Sequence, residues 1–391
     1  MLRNYAHRLV LSLSLLAASA LSAQTPEVRF FPNDGVYAHE VEIRRGIQGA
    51  LLQNGAIVNR GSAEITLESA ALEVMRDGQV VASSAFASAE LEKAAKKGAG
   101  LVASGMFAAF SFQFRPDLLL GAGAKLGTST HLAPGEALLL GHKYITWSGP
   151  ADHLRLRFAG HDAAGAVVEA SGEIAIENEP SKITYHFPLA GRWFIAAGST
   201  PHSHHRWVAA EEFAFDIVRI GEGMRTSRGD GTKRQDYYAY GAEVLAAAAG
   251  TVVRVVDSLE ETDGFLRQPG EAFAAYNERV AAMQDGLMQK GLDTIAGNVV
   301  VIDHGNGEFS HYAHLKTGSA KVKVGEQVKQ GQPLALLGTS GNSTEPHLHF
   351  QITSGPDPLN SVGRPCRFAN IELPFADWER QLQTGDIVDV K

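Results

Sequence analysis

The chain has 391 residues and a formal net charge of −8, with 45% hydrophobic and 20% charged residues, 41 glycines and 15 prolines. That is the make-up of a folded protein of two or three domains, and its acidic balance argues against nucleic acid as the main partner. The single cysteine, Cys366, excludes an intrachain disulfide and any multi-cysteine zinc site, so a metal would rest on His, Asp or Glu.

Arg3, His7 and Arg8 give a positive start, Leu9 to Ala20 is an apolar run, and small residues follow at Ala20, Ser22 and Ala23. This layout predicts a cleavable secretory signal over residues 1–23, and the apolar run is short for a membrane span of roughly 20 residues. The mature protein is therefore expected in the periplasm or secreted, with no stable membrane span. Residues 27–182 read as short strands broken by turn signals such as Asp77-Gly78, with one helix from Ser88 to Lys97, capped by Ser and stopped by Gly98. This predicts an N-terminal β-sandwich-like domain in which His39, His131, His142, His153 and His161 are surface or structural residues.

Residues 177–181 read as a linker. Beyond them, from 183 to 375, short β segments alternate with Gly turns. Between the strands 250–256 and 298–302, residues 257–297 form an insertion in which Phe273, Tyr276, Val280, Met283 and Leu287 recur at spacings of three and four. That period predicts an amphipathic helix inserted at a hairpin tip, where added length is tolerated. It either packs on the domain or forms a flap over a site. Residues 376–391 read as a C-terminal tail.

Histidines cluster in this second half, at 202–205, 304, 311–314 and 347–349. In His347-Leu348-His349, strand alternation aims both imidazoles at one spot, an arrangement that can hold a metal and manage a proton beside it. Asp216 falls on an expected strand over 212–218, on the face opposite Phe213 and Phe215. His304 and His311 read as exposed hairpin residues.

The runs Gly250-Thr-Val-Val, Gly297-Asn-Val-Val-Val-Ile-Asp-His-Gly, Tyr312-Ala-His-Leu, Val324-Gly-Glu-Gln-Val-Lys-Gln-Gly-Gln, Gly338-Thr-Ser-Gly-Asn-Ser and His347-Leu-His-Phe occur in the order found in the LytM/lysostaphin-type zinc endopeptidases. The resemblance covers about residues 183–355. It implies a mostly β protein, with the β-sandwich-like domain followed by a β-hairpin, barrel-like peptidase domain carrying the helical insertion. It further implies one zinc ion held by Asp216, His349 and a first histidine, with His314 and His347 as the catalytic, non-ligand pair. The first histidine is assigned to His205, with His204 as the alternative and His202 behind both; the family sets this residue four before the Asp, whereas His205 precedes Asp216 by eleven. Three protein ligands leave zinc an open position for a water whose pKa falls to about 7. The expected activity is hydrolysis of peptide bonds through that water, with peptidoglycan cross-links or another peptide as substrate.

Two other classes share parts of this pattern. A catalytically inactive relative would act as a binding module that activates or recruits other cell-wall hydrolases. A biotinyl or lipoyl carrier is disfavoured by the lack of a modifiable lysine in its short motif. Tyr238 and Tyr240 could line a groove or pack internally, and Gln351, where the family often has an acidic residue, is expected to be of little consequence.

Overall fold

The computed structural model describes residues 26–177, 181–376 and 380–391, so the expected signal segment and most of the linker lie outside the described residues. In the first unit, one sheet has the order Glu27–Phe31, Ile47–Val58, Glu136–Ser148, Lys125–Leu126, and a second has Val36–Tyr37, Val167–Glu177, His153–Asp162, Ile65–Arg76, Gln79–Phe86. Leu52, Ile57, Leu138 and Leu140 from the first share one core with Leu72, Val74, Leu154 and Phe158 from the second. Two sheets joined through their apolar faces make the expected sandwich. Asp77 and Gly78 close their hairpin with positive φ of 48° and 74°, as a two-residue turn matching strand twist requires.

The helix differs from expectation. It runs Ser88–Ala103, straight through Gly98, and Ser88 is its first residue rather than its cap. The N-terminal bond is made instead by Glu90, whose carboxylate accepts from the Ala87 N–H at 2.9 Å. Gly98 lies buried toward Leu126, so here a glycine serves helix–sheet contact instead of termination.

The second unit is built on an antiparallel sheet whose central order is Gly250–Val256, Asn298–Asp303, Phe309–Leu315, Leu348–Thr353, Phe215–Val218, Arg192–Ala197 and Ile387–Val390. Its core gathers Phe215, Ile217, Tyr312, Leu348 and Phe350 on one face. The expected C-terminal tail is corrected at this point: Ile387–Val390 is a strand pairing with Arg192–Ala197 and with Ile371–Glu372. The insertion joins two paired strands as expected, and its helix runs Phe273–Lys290, with no residue of that helix buried. Among the described residues, no helix is long and apolar enough to cross a membrane.

Candidate metal centre

Alternation along the three central strands builds the site on the face opposite the core. Asp216 stands between core residues Phe215 and Ile217 and pairs in register with His349, which stands between core residues Leu348 and Phe350. Ala313 pairs with His349 from the other side. His314 follows Ala313, so simple alternation would turn it into the core. Its backbone instead takes φ +59°, beside a register irregularity opposite Asn298 and Val300, and its ring lines the same cleft as His347 and His349. Local bulging of this kind re-aims side chains next to functional sites.

Four histidines surround the Asp216 carboxylate. His349 Nδ1 lies 3.0 Å and His347 Nε2 3.4 Å from Oδ1, while His205 Nε2 lies 3.2 Å and His204 Nε2 3.4 Å from Oδ2. The donor atoms of His204, His205 and Asp216 all lie within 4.8 Å of one another. The opposite nitrogens of the buried rings are tied down. His205 Nδ1 donates to Ala214 O at 3.2 Å, His314 Nδ1 to Ser340 O at 2.8 Å, and His347 Nδ1 to Glu345 O at 2.8 Å. His349 Nε2 donates to Gln351 Oε1 at 2.8 Å, and the Gln351 amide donates in turn to Pro358 O at 2.8 Å, which sets which end of the amide faces the ring. Each ring thus commits its far nitrogen to an acceptor and leaves the other facing the cleft, where it can bind a metal once its proton is displaced.

Electrostatics follow the geometry. Burial pushes the Asp216 carboxyl up, yet the imidazoles of His205 and His347 and the hydrogen bonds from His204 and His205 hold it well below the usual range. Burial pushes His349 down, but the hydrogen bond and charge of Asp216 raise it to about 9. Burial, then His347 and His349, hold the His314 imidazole well below its ordinary value. An anionic carboxylate ringed by imidazoles, with one further neutral imidazole beside it, fits a divalent metal that accepts nitrogen and oxygen donors. The cleft is a cavity of ≈ 260 Å³, and every residue lining it falls between His204 and Leu359.

The structure brings together all five expected residues and the alternative, His204. His205 is buried and anchored, whereas the His204 side chain is 70% exposed. His202 lies at the surface outside the cleft lining. Two expectations are corrected. His311 is buried, bonded to Thr353 Oγ1 at 2.7 Å, because it shares the cleft face of its strand with Ala313 and lines the floor of the cavity. His304 is half-buried, held by Ala249 O and Ser310 Oγ. Tyr238 packs under Arg228, and Tyr240 donates to Glu261, so both serve packing. Gln351, expected to be of little consequence, is the hydrogen-bond partner of His349 Nε2; its i+2 position after His349 was the available signal. Glu211 and Gln284 also line the cleft, and no sequence pattern marked either.

Residues 267–361 match the family model described as Peptidase family M23. Over 96 residues the chain is 41% identical to the murein hydrolase activator EnvC of Escherichia coli, covering 24% of this chain and 22% of that protein. Over 67 residues it is 42% identical to the peptidoglycan DD-endopeptidase ShyA of Vibrio cholerae, covering 17% of this chain and 15% of that protein. The chain thus spans about a fifth or less of these relatives' own length. Among solved structures, the catalytic domain of the antimicrobial peptidase lysostaphin from Staphylococcus simulans aligns with a TM-score of 0.23 and 18% identity, over 46% of this chain and 88% of that one.

Proposed function

We propose that this chain, which carries a peptidase family M23 domain, is an exported zinc metalloendopeptidase that cleaves peptide cross-links of peptidoglycan. The observation that carries the reading is that His205 Nε2 and His349 Nδ1 stand 3.2 Å and 3.0 Å from the two oxygens of the Asp216 carboxylate, with the far nitrogen of each imidazole anchored. These three residues would hold the ion, with His204 as a neighbouring donor. When bound, zinc supplies a Lewis acid and a water acidic enough to be deprotonated near neutral pH.

The protein's own groups do the rest. His347, fixed through Nδ1, presents Nε2 beside Asp216 and takes the proton of the attacking water. His347, once protonated at Nε2, donates to the oxyanion that develops on the scissile carbonyl, and neutral His314, fixed by Ser340 with its ring centroid 4.7 Å from that of His347, offers Nε2 as an acceptor beside it. The endopeptidase relatives support peptidoglycan as substrate, and the signal-like first 23 residues support export to the periplasm or beyond.

The test pairs metal analysis with digestion of purified muropeptides by wild type and His349→Ala. Stoichiometric zinc and cleavage in wild type alone are expected; equal digestion by both proteins refutes the mechanism. The activator relative and the long His205-to-Asp216 spacing favour a second reading, an inactive module that stimulates other wall hydrolases. A protein that takes up no zinc yet stimulates such a hydrolase would establish it.

A further inference from the structure

Ten residues, 206–215, separate the two sides of the metal centre, and the first unit holds them at several points. Gln53, buried in the middle of Ile47–Val58, donates through Nε2 to Arg206 O at 2.9 Å and to Glu212 Oε2 at 3.0 Å. Arg206 directly follows His205, and its guanidinium is fixed by Thr200 O and Ser199 O at 2.8 Å each and by Glu212 at 3.4 Å. Gln113 Oε1 accepts from Ala209 N at 3.1 Å. The Trp207 ring stands edge-on to His142 at 4.6 Å, and Phe213 stands edge-on to Tyr37 at 6.0 Å.

We propose that the N-terminal β domain is a working part of the metal centre: it grips the 206–215 segment and thereby positions His205 at Asp216. This rests on the reading of the site as a zinc centre. The physical need is plain. The segment holds only the end of a short 3₁₀ turn, His204–Trp207, before the strand Phe215–Val218 begins. A free loop of this length would spread His205 over many positions, and ordering it on metal binding would weaken affinity. The grip meets that cost during folding. It also comes from behind, because every cleft-lining residue belongs to the second unit. The N-terminal domain therefore braces the site and leaves its mouth open. Gln53 and Gln113 are positioning residues, and the eleven-residue spacing is the length needed to reach them.

The test uses the full chain. Zinc dissociation constants are measured by chelator competition, and the visible spectrum of the cobalt(II) form is recorded, for wild type, Gln53→Ala, Trp207→Ala, His205→Ala and His349→Ala. Gln53→Ala is expected to weaken zinc about 10- to 100-fold, the usual range for a residue supporting a ligand, and to shift the cobalt spectrum toward that of His205→Ala. The Trp207 side chain is 58% exposed, so Trp207→Ala leaves folding intact and decides the matter should Gln53→Ala not fold. Its expected loss is about two- to tenfold, the range for one aromatic contact. Wild-type affinity and spectrum in both variants would overturn the grip alone. A wild type that binds no zinc, matching His349→Ala, would overturn the centre and the grip together.

Discussion

His205, His314, His347 and His349 each have one nitrogen committed to a named acceptor, and this division of labour predicts different losses on mutation. His349→Ala removes a nitrogen that faces Asp216 at 3.0 Å, so loss of stoichiometric zinc and of activity is expected. His347→Ala should retain zinc and lose about 10²- to 10⁴-fold in kcat, the range for a general base. Metal analysis beside single-turnover kinetics separates the two, and zinc loss in His347→Ala would reverse their roles. Gln351→Leu leaves His349 Nε2 without its acceptor, so zinc affinity should fall about 10- to 100-fold while the fold is kept. The His-x-His pair was legible because strand alternation is periodic. Its ring-orienting partner two residues on obeyed the same period. His314 was legible only through family likeness, since its positive φ breaks the alternation that any pattern would apply.

At the scale of elements, the insertion is the clearest departure from economy. Its helix, Phe273–Lys290, buries no residue, and Phe273 is 64% exposed. Yet Gln284 reaches Asn342 at 3.0 Å, and both line the metal cleft. A helix that adds nothing to the core but edges the cleft is placed to act on substrate access, which a deletion tests. Replacing residues 270–291 by a short Gly/Ser linker spares the buried Phe265 and Leu266 and the Leu259–Asn298 bonds. The melting temperature should move by less than about 4 °C, the shift expected for about 1 kcal/mol in a domain of this size, while KM for cross-linked muropeptides changes. An unchanged KM would make the helix ornamental. The sequence pattern located this helix by its apolar period but not its partner, because the stripe at Tyr276, Val280 and Met283 is only half-buried. The Ser88–Ala103 helix was cut short in prediction for a related reason: glycine is a stop only where the backbone turns left-handed, and at Gly98 it does not.

At the scale of the molecule, the two units meet at a buried charged seam, and this should make stability depend on pH. Arg206 and Glu212 pair at 3.4 Å beneath Gln53, and His39 stands beside them, its ring 5.3 Å from Tyr144 and 6.1 Å from Phe213. Burial first, then the Arg206 guanidinium, hold the His39 imidazole well below its ordinary value, against a smaller pull from the Tyr37 backbone. His311, lowered to about 3 chiefly by burial, acts in the same direction. A histidine kept neutral in the folded state costs nothing above its unfolded pKa of about 6.5. Below that value the unfolded chain takes up a proton that the native protein refuses, so stability falls as the pH drops toward the folded pKa. Each withheld proton contributes at most about 1.4 kcal/mol per pH unit to that slope. Urea unfolding between pH 4.5 and 7.5 should therefore show stability declining below about pH 6.5. His39→Phe, which keeps the ring contacts with Tyr144 and Phe213, should flatten the decline by about one proton. A slope identical to wild type would mean that His39 is protonated in the native seam. Arg206 would then face a second buried cation with only the Glu212 carboxylate to offset both.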